Sequence, residues 1–202
     1  MAQCAARLLA EGGADDFEQA RRKAARELGA EGARDLPDNL ELHRALVDYL
    51  ALFGGAAHAQ MLARLRRKAL RALRVFAPFE PALVGPVLYG TACEQTPISL
   101  HLRADEFEAV TRFLLEQRLH YRLVDGQLRL SGGQGTERVV RILLTLFDEA
   151  FELTVLPRQG GRQPLSQVDG RPMQRADERA LDELIERGER FSGAFGHVAA
   201  PR

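Results

Sequence analysis

The chain has 202 residues, of which 46% are hydrophobic, and its 28 basic residues are balanced by 28 acidic ones. A chain of this size can bury a substantial core, and its neutral charge excludes a net field that draws the whole molecule to nucleic acid or anionic lipid. Cys4 and Cys93 provide neither a disulfide framework nor metal-type spacing. The apolar runs are too short for a membrane span, and the charged N-terminal stretch is unlike a signal peptide. We therefore expect a bacterial-type cytoplasmic protein with no membrane partner.

The first third of the sequence predicts helices alone. Asp15 with Glu18, and later Asp38 with Glu41, match the capping box, in which the N-cap and N3 residues exchange hydrogen bonds. Apolar spacing, glycines and prolines place the ends of these helices. The predicted helices cover about residues 3–10, 15–29, 38–53 and 57–77.

The helix at residues 57–77 carries a row of basic side chains. Arg64, Arg67, Arg71 and Arg74 recur at steps of three and four, which places them on one helix face. Cations on a preformed face bind polyanions, so one interpretation is a contact with phosphate or an RNA backbone. The other is a solvated face, or one paired with acidic helices such as residues 176–187. The neutral overall charge and the scarcity of aromatic residues favour this second interpretation.

From Pro81 onward the pattern changes to strands mixed with one helix. Residues 82–89 are apolar apart from Pro86 and predict a deep strand, or one with a bulge at the proline. Residues 98–102 alternate between apolar and polar side chains, which predicts one core face and one polar face. Asp105 is the expected cap of a helix that runs to about residue 118.

The remaining strands are predicted around a hairpin and a short turn. Asp125-Gly126 is a strong tight-turn signal, and it predicts a hairpin between strands at about residues 120–124 and 127–130. Two more strands, at about 138–147 and 151–156, precede a final amphipathic helix. The sequence thus predicts an α+β fold, in which a helical N-terminal region is followed by a mixed sheet with flanking helices. We expect the boundaries to be a helical extension at 1–56, an α/β domain at 57–190 and a flexible tail at 191–202.

Residues 57–156 resemble the core of nucleotidyltransferases of the polymerase-beta type. In that family a helix precedes the first strand, a Gly-Ser turn follows it, the next strand bears Asp-x-Asp, and a later strand bears a third carboxylate. The resemblance implies a nucleotidyltransferase-like sheet whose candidate ligand cleft contains Gly90, Thr91, Ser99, His101 and Glu152.

This chain departs from the family where the acidic pair is expected. Nucleotidyl transfer uses bound Mg²⁺, usually two ions, and these ions need clustered carboxylates. Ser99 and His101 stand at those positions; serine is a weak neutral ligand, and imidazole prefers softer metals. Glu152 alone could not hold two ions. The resemblance therefore implies a degenerate active site and a protein that binds a nucleotide, an RNA or a protein partner, with no cofactor expected.

Two alternatives stay open. The first is an active nucleotidyltransferase in which Mg²⁺ is held by relocated carboxylates such as Glu94, Glu152 or Asp105. The second is a protein-interaction scaffold whose helical N-terminus packs on another chain or on a second copy as a homodimer. Labelled nucleotide transfer distinguishes the first alternative, and the oligomeric state distinguishes the second.

Other chemistries at these residues are less favoured by the sequence. His101 beside Ser99 suggests nucleophilic catalysis, but no Gly-x-Ser-x-Gly elbow is present. His101 with His120 would make a zinc site short of a third ligand. Cys93 is a candidate reactive thiol in a loop. Residues 132–135 lead into a strand without Lys-Ser/Thr, so we expect a connector rather than a phosphate-binding P-loop.

Overall fold

The computed structural model describes residues 1–33, 35–133 and 135–187. Within them the predicted α+β fold is confirmed, because a helical N-terminal region is followed by a five-stranded mixed sheet with flanking helices. The predicted tail at 191–202 and the last residues of the predicted domain, 188–190, lie outside the described residues. The elements are α1 (Ala2–Ala10), α2 (Phe17–Glu27), α3 (Asn39–Phe53), α4 (Gly55–Val75), β1 (Ala82–Val84), α5 (Pro86–Tyr89), β2 (Ile98–Arg103), α6 (Phe107–Glu116), β3 (Tyr121–Arg129), β4 (Thr136–Leu146), β5 (Glu149–Leu156) and α7 (Glu178–Glu186).

Side-chain caps start α2 and α3. Asp38 and Glu41 form the predicted capping box at α3. At α2 the predicted cap is wrong by one residue, because the carboxylate of Asp16, rather than that of Asp15, accepts from the Gln19 amide. The Gln19 side chain in turn accepts from the Asp15 amide at 2.8 Å. Gln19 therefore makes the return hydrogen bond that the sequence pattern assigned to Glu18.

The sheet has the strand order β1-β2-β5-β4-β3. β2 pairs antiparallel with β1 and parallel with β5, while β4 pairs antiparallel with both β5 and β3. One face is apolar and packs on α4, α6 and α7, with Leu65, Leu100, Leu114, Leu153 and Leu181 in the shared core. Burial of these side chains supplies most of the driving force for assembling this layer.

We call the opposite side of the sheet the polar face. Strand register gives a row of neighbours across this face: Ala82, His101, Thr154, Arg141 and Val124. Ser99 and its register partner Glu152 lie in the next row. Because side chains alternate along a strand, all these residues point away from the helices.

The connection between β5 and α7 borders the polar face. Leu130, just after β3, bridges to Pro164, and Leu83 of β1 bridges to Ala176. Residues 157–176 therefore join the two edges of the sheet. Arg175 of this connection lies close enough to His101 on the polar face to act on its charge.

The strand predicted at residues 82–89 is wrong in its second half. β1 ends at Val84, Gly85 has φ 73°, and Pro86 starts the short helix α5. Proline lacks the amide that a strand would use, and its fixed φ suits the first helical position.

The hairpin predicted at Asp125-Gly126 is also wrong, because β3 runs unbroken through both residues and pairs with β4 along its whole length. A Cβ at Gly126 would lie 2.8 Å from Cδ and 3.0 Å from Cγ of Arg141. Gly126 therefore leaves space for the side chain of Arg141, which crosses over it, and does not form a turn.

The start of α6 differs from the prediction as well. Glu106, and not Asp105, is the N-cap residue, and no side chain of the described residues caps this helix with a hydrogen bond. The Asp-x-x-Glu spacing of Asp105 and Glu108 is therefore present without the cap that it normally indicates. Burial of Val110 and Leu114 in the core stabilises this helix.

Candidate functional site

Three of the five predicted cleft residues share the polar face. Ser99 and His101 lie on β2, and Glu152 lies opposite Ser99 on the parallel strand β5. This pairing brings together residues that are far apart in the sequence.

The predicted turn residues occupy a different position from the one expected. Gly90 and Thr91 follow α5 instead of the first strand, and a Cβ at Gly90 would lie 3.5 Å from Leu62 on α4. The turn that directly follows β1 is at Gly85, where a Cβ would lie 3.8 Å from both Cβ and Oγ of Ser99. Sequence reasoning missed Gly85, although a Gly-Pro pair after an apolar strand was the available signal.

His101 is a buried, neutral side chain. It is 3% exposed, and its Nδ1 has no hydrogen-bond partner among the described residues. Burial, reinforced by the charges of Arg175, Arg141 and Arg103, lowers the pKa of His101 to about 4. The imidazole therefore adds no charge to the polar face at neutral pH.

Glu152 is held in an ion pair with Arg141. Nη1 of Arg141 lies 3.2 Å from Oε1 and 3.3 Å from Oε2 of the carboxylate, and Nη2 donates to the Gln127 carbonyl at 2.9 Å. Both side chains of the pair are about three-quarters buried. The charge of Glu152 is therefore compensated by a guanidinium fixed at three points, over the gap left by Gly126.

The other carboxylates considered as metal ligands are separated in the structure. Glu94 pairs with Arg64 on α4 at 2.8 Å, whereas Asp105 is exposed ahead of α6. Across the described ranges, no group of three or more His, Cys, Asp or Glu side chains lies close enough to hold a metal ion.

The first arginine of the basic row on α4 is already paired. Arg64 contacts both Glu94 and Glu149, and Lys68 contacts Glu149 at 2.9 Å. Its neighbour Arg66 points inward and donates to backbone carbonyls of α5. A phosphate at Arg64 would have to compete with two carboxylates.

The other three arginines of the row are partly occupied in the same way. Arg74 pairs with Glu178 of α7 at 2.7 Å, as the alternative interpretation from the sequence expected. The guanidinium of Arg71 lies 3.9 Å from the ring centre of Phe147. Arg67 is exposed and makes no ion pair with the described residues. The contacts of this row favour a structural role over polyanion binding.

No match was found to any protein-family model, to any curated protein or to any solved structure. None of the helices in the described part of the chain combines the length and the apolar character needed to cross a lipid bilayer.

Proposed function

We propose that this chain is a nucleotidyltransferase-like protein that has lost metal-dependent catalysis and binds a nucleotide. Support comes from the order and direction of β1, β2 and β5, which put Ser99, His101 and Glu152 on one face. The observation that carries the proposal is the ion pair between Arg141 and Glu152.

The charge of this face suits an anion better than a cation. Mg²⁺ binds through several hard oxygen ligands, usually carboxylates, and here the carboxylate beside Ser99 is already neutralised by a guanidinium. Breaking a part-buried ion pair leaves one charge uncompensated, which is costly. A Mg²⁺ ion would therefore have to displace Arg141, whereas a phosphate is attracted by the arginines around His101.

Isothermal titration with nucleoside mono-, di- and triphosphates tests the proposal. We expect binding of similar affinity in EDTA and in Mg²⁺, and no transfer of label from nucleoside triphosphates to candidate acceptors. Binding that needs Mg²⁺, accompanied by turnover, would contradict the proposal and restore the active-enzyme alternative.

The Glu152→Gln variant sharpens the test because it removes the carboxylate charge and keeps the shape of the side chain. An anion site should keep or gain affinity for nucleotide, since a negative charge near the ligand is removed. A metal-dependent site should lose its affinity, because the carboxylate that lies opposite Ser99 is gone. Ser99→Ala is a matched control that leaves the charge unchanged.

A further inference from the structure

Three arginines and one glutamate meet near the C-terminal end of β2. Nη1 of Arg103 donates to the carbonyls of Pro157 and Arg158 at 3.3 and 3.4 Å. Arg158 donates to the Pro78 carbonyl at 2.7 Å and lies 3.5 Å from Glu80. Arg175 lies close enough to both Arg103 and Glu80 to interact electrostatically with them. We call Arg103, Arg158 and Arg175 the arginine cluster.

The cluster carries more positive charge than its surroundings neutralise. Against three guanidinium groups stands the carboxylate of Glu80, which already pairs with Arg158. Arg175 is exposed and makes no hydrogen bond or ion pair with the described residues. Partial burial of the guanidinium, and then the like charge of Arg103, lower the pKa of Arg175, while the carboxylate of Glu80 acts in the opposite direction.

The neighbouring part of the polar face, as far as the structure describes it, adds no net opposing charge. His101, which also lies near Arg103 and Arg175, is buried and neutral. Arg141, on the far side of Thr154, has its charge compensated by Glu152. An excess of about two positive charges therefore remains at Arg103 and Arg175, which matches a doubly charged anion such as a phosphate.

We infer that Arg103 and Arg175 bind a phosphate group, and that they hold the polyphosphate of the nucleotide ligand at the C-terminal end of β2. This inference rests on the proposed function and locates its ligand. A planar guanidinium donates two parallel hydrogen bonds to phosphate oxygens. Arg175 makes no hydrogen bond or ion pair in the described chain that would compete with a phosphate, and Arg103 uses only Nη1 in its two long contacts.

Titration of the full chain with pyrophosphate, ATP and adenosine in EDTA tests the inference. We expect pyrophosphate and ATP to bind and adenosine to bind far more weakly. Arg175→Gln should raise the dissociation constants of pyrophosphate and ATP by about tenfold or more, the usual effect of losing a charge-assisted hydrogen bond. It should also flatten the dependence of binding on salt concentration.

Arg175→Gln is the main variant because it breaks no hydrogen bond or ion pair among the described residues. Arg103→Gln is the second variant, checked first for its thermal midpoint because it also releases two backbone carbonyls. Arg67→Gln is the matched control, because Arg67 is an exposed arginine of the basic row on α4 and makes no ion pair within the described part of the chain. Arg67→Gln should leave both dissociation constants unchanged.

The possible results separate this inference from the proposed function. If Arg175→Gln and Arg103→Gln both fold and bind nucleotide with the affinity of the wild type, the inference is overturned while the proposed function survives. Loss of binding in Arg67→Gln alone overturns it as well and moves the site to α4. Pyrophosphate binding at the cluster without nucleotide binding supports the phosphate site, but it rejects the proposed function and with it a nucleotide as the ligand of that site. No binding of either anion by the unmodified protein rejects both.

Discussion

Replacing Gly126 by alanine perturbs the contact on which the proposed anion face depends. The added Cβ would lie 2.8 Å from Cδ of Arg141, so the arginine has to move. Its guanidinium is fixed by Glu152 and by the Gln127 carbonyl. The side chain therefore cannot move without losing some of these hydrogen bonds.

Two opposing contributions determine the size of the effect. Losing hydrogen bonds to a charged group costs about 1.5–3 kcal/mol. Alanine in a strand is favoured over glycine by roughly 0.5–1 kcal/mol, and Gly126 lacks the positive φ that would oppose the change. We expect Gly126→Ala to lower the free energy of unfolding by about 1–2 kcal/mol.

A double-mutant cycle with Arg141→Ala, measured by urea denaturation, isolates the mechanism. Once the arginine side chain is absent, Gly126→Ala should stabilise the chain by roughly 0.5–1 kcal/mol. Equal destabilisation by Gly126→Ala in both backgrounds would refute the assignment of this glycine to the crossing side chain.

Three further predictions follow from contacts described above. Because the folded pKa of His101 is about 4 and the unfolded value about 6.5, the unfolded state takes up the proton first as pH falls; stability is lost between about pH 6.5 and 4. Relative to a His101→Gln variant, we expect the wild type to lose about 2 kcal/mol more between pH 7 and pH 5. Arg66→Met should cost about 2 kcal/mol in urea denaturation, because Arg66 donates to buried carbonyls, whereas the exposed control Arg67→Met should change stability by less than about 0.5 kcal/mol. Asp16→Ala should lower the thermal midpoint through loss of about 1 kcal/mol of capping, with a smaller change in Asp15→Ala.

Each of these has a result that would contradict it. An NMR titration that places the His101 pKa near 6.5 in the folded chain removes the predicted pH dependence. Equal stability losses in the methionine variants of Arg66 and Arg67 would show that the inward hydrogen bonds contribute nothing specific. A larger loss at Asp15 than at Asp16 would place the cap of α2 where the sequence pattern expected it.

The sequence predicted those features that depend on neighbouring residues. Asp38 and Glu41 are one turn apart, so their mutual cap could be read directly from their spacing. The alternation at residues 98–102 likewise gave the two faces of β2, because side-chain direction in a strand depends only on position.

Features that depend on distant residues could not be read in this way. The meaning of Gly126 depends on Arg141, which is on another strand. The compensation of Glu152 and the grouping of Arg103, Arg158 and Arg175 depend on which strands and connections become neighbours. Local spacing contains no such information, so the sequence directed attention to the arginines of α4 instead.

The parallel pairing of β2 with β5 has a consequence for the order of assembly. β3, β4 and β5 form a meander of sequence neighbours, but β2 must wait for a strand that is synthesised after an intervening helix and two other strands. Closing so long a loop costs entropy before any contact is gained. While the chain is emerging from a ribosome, β2 keeps an open edge until Leu156 has left the exit tunnel, and a chaperone that covers this edge would protect the nascent protein from aggregation.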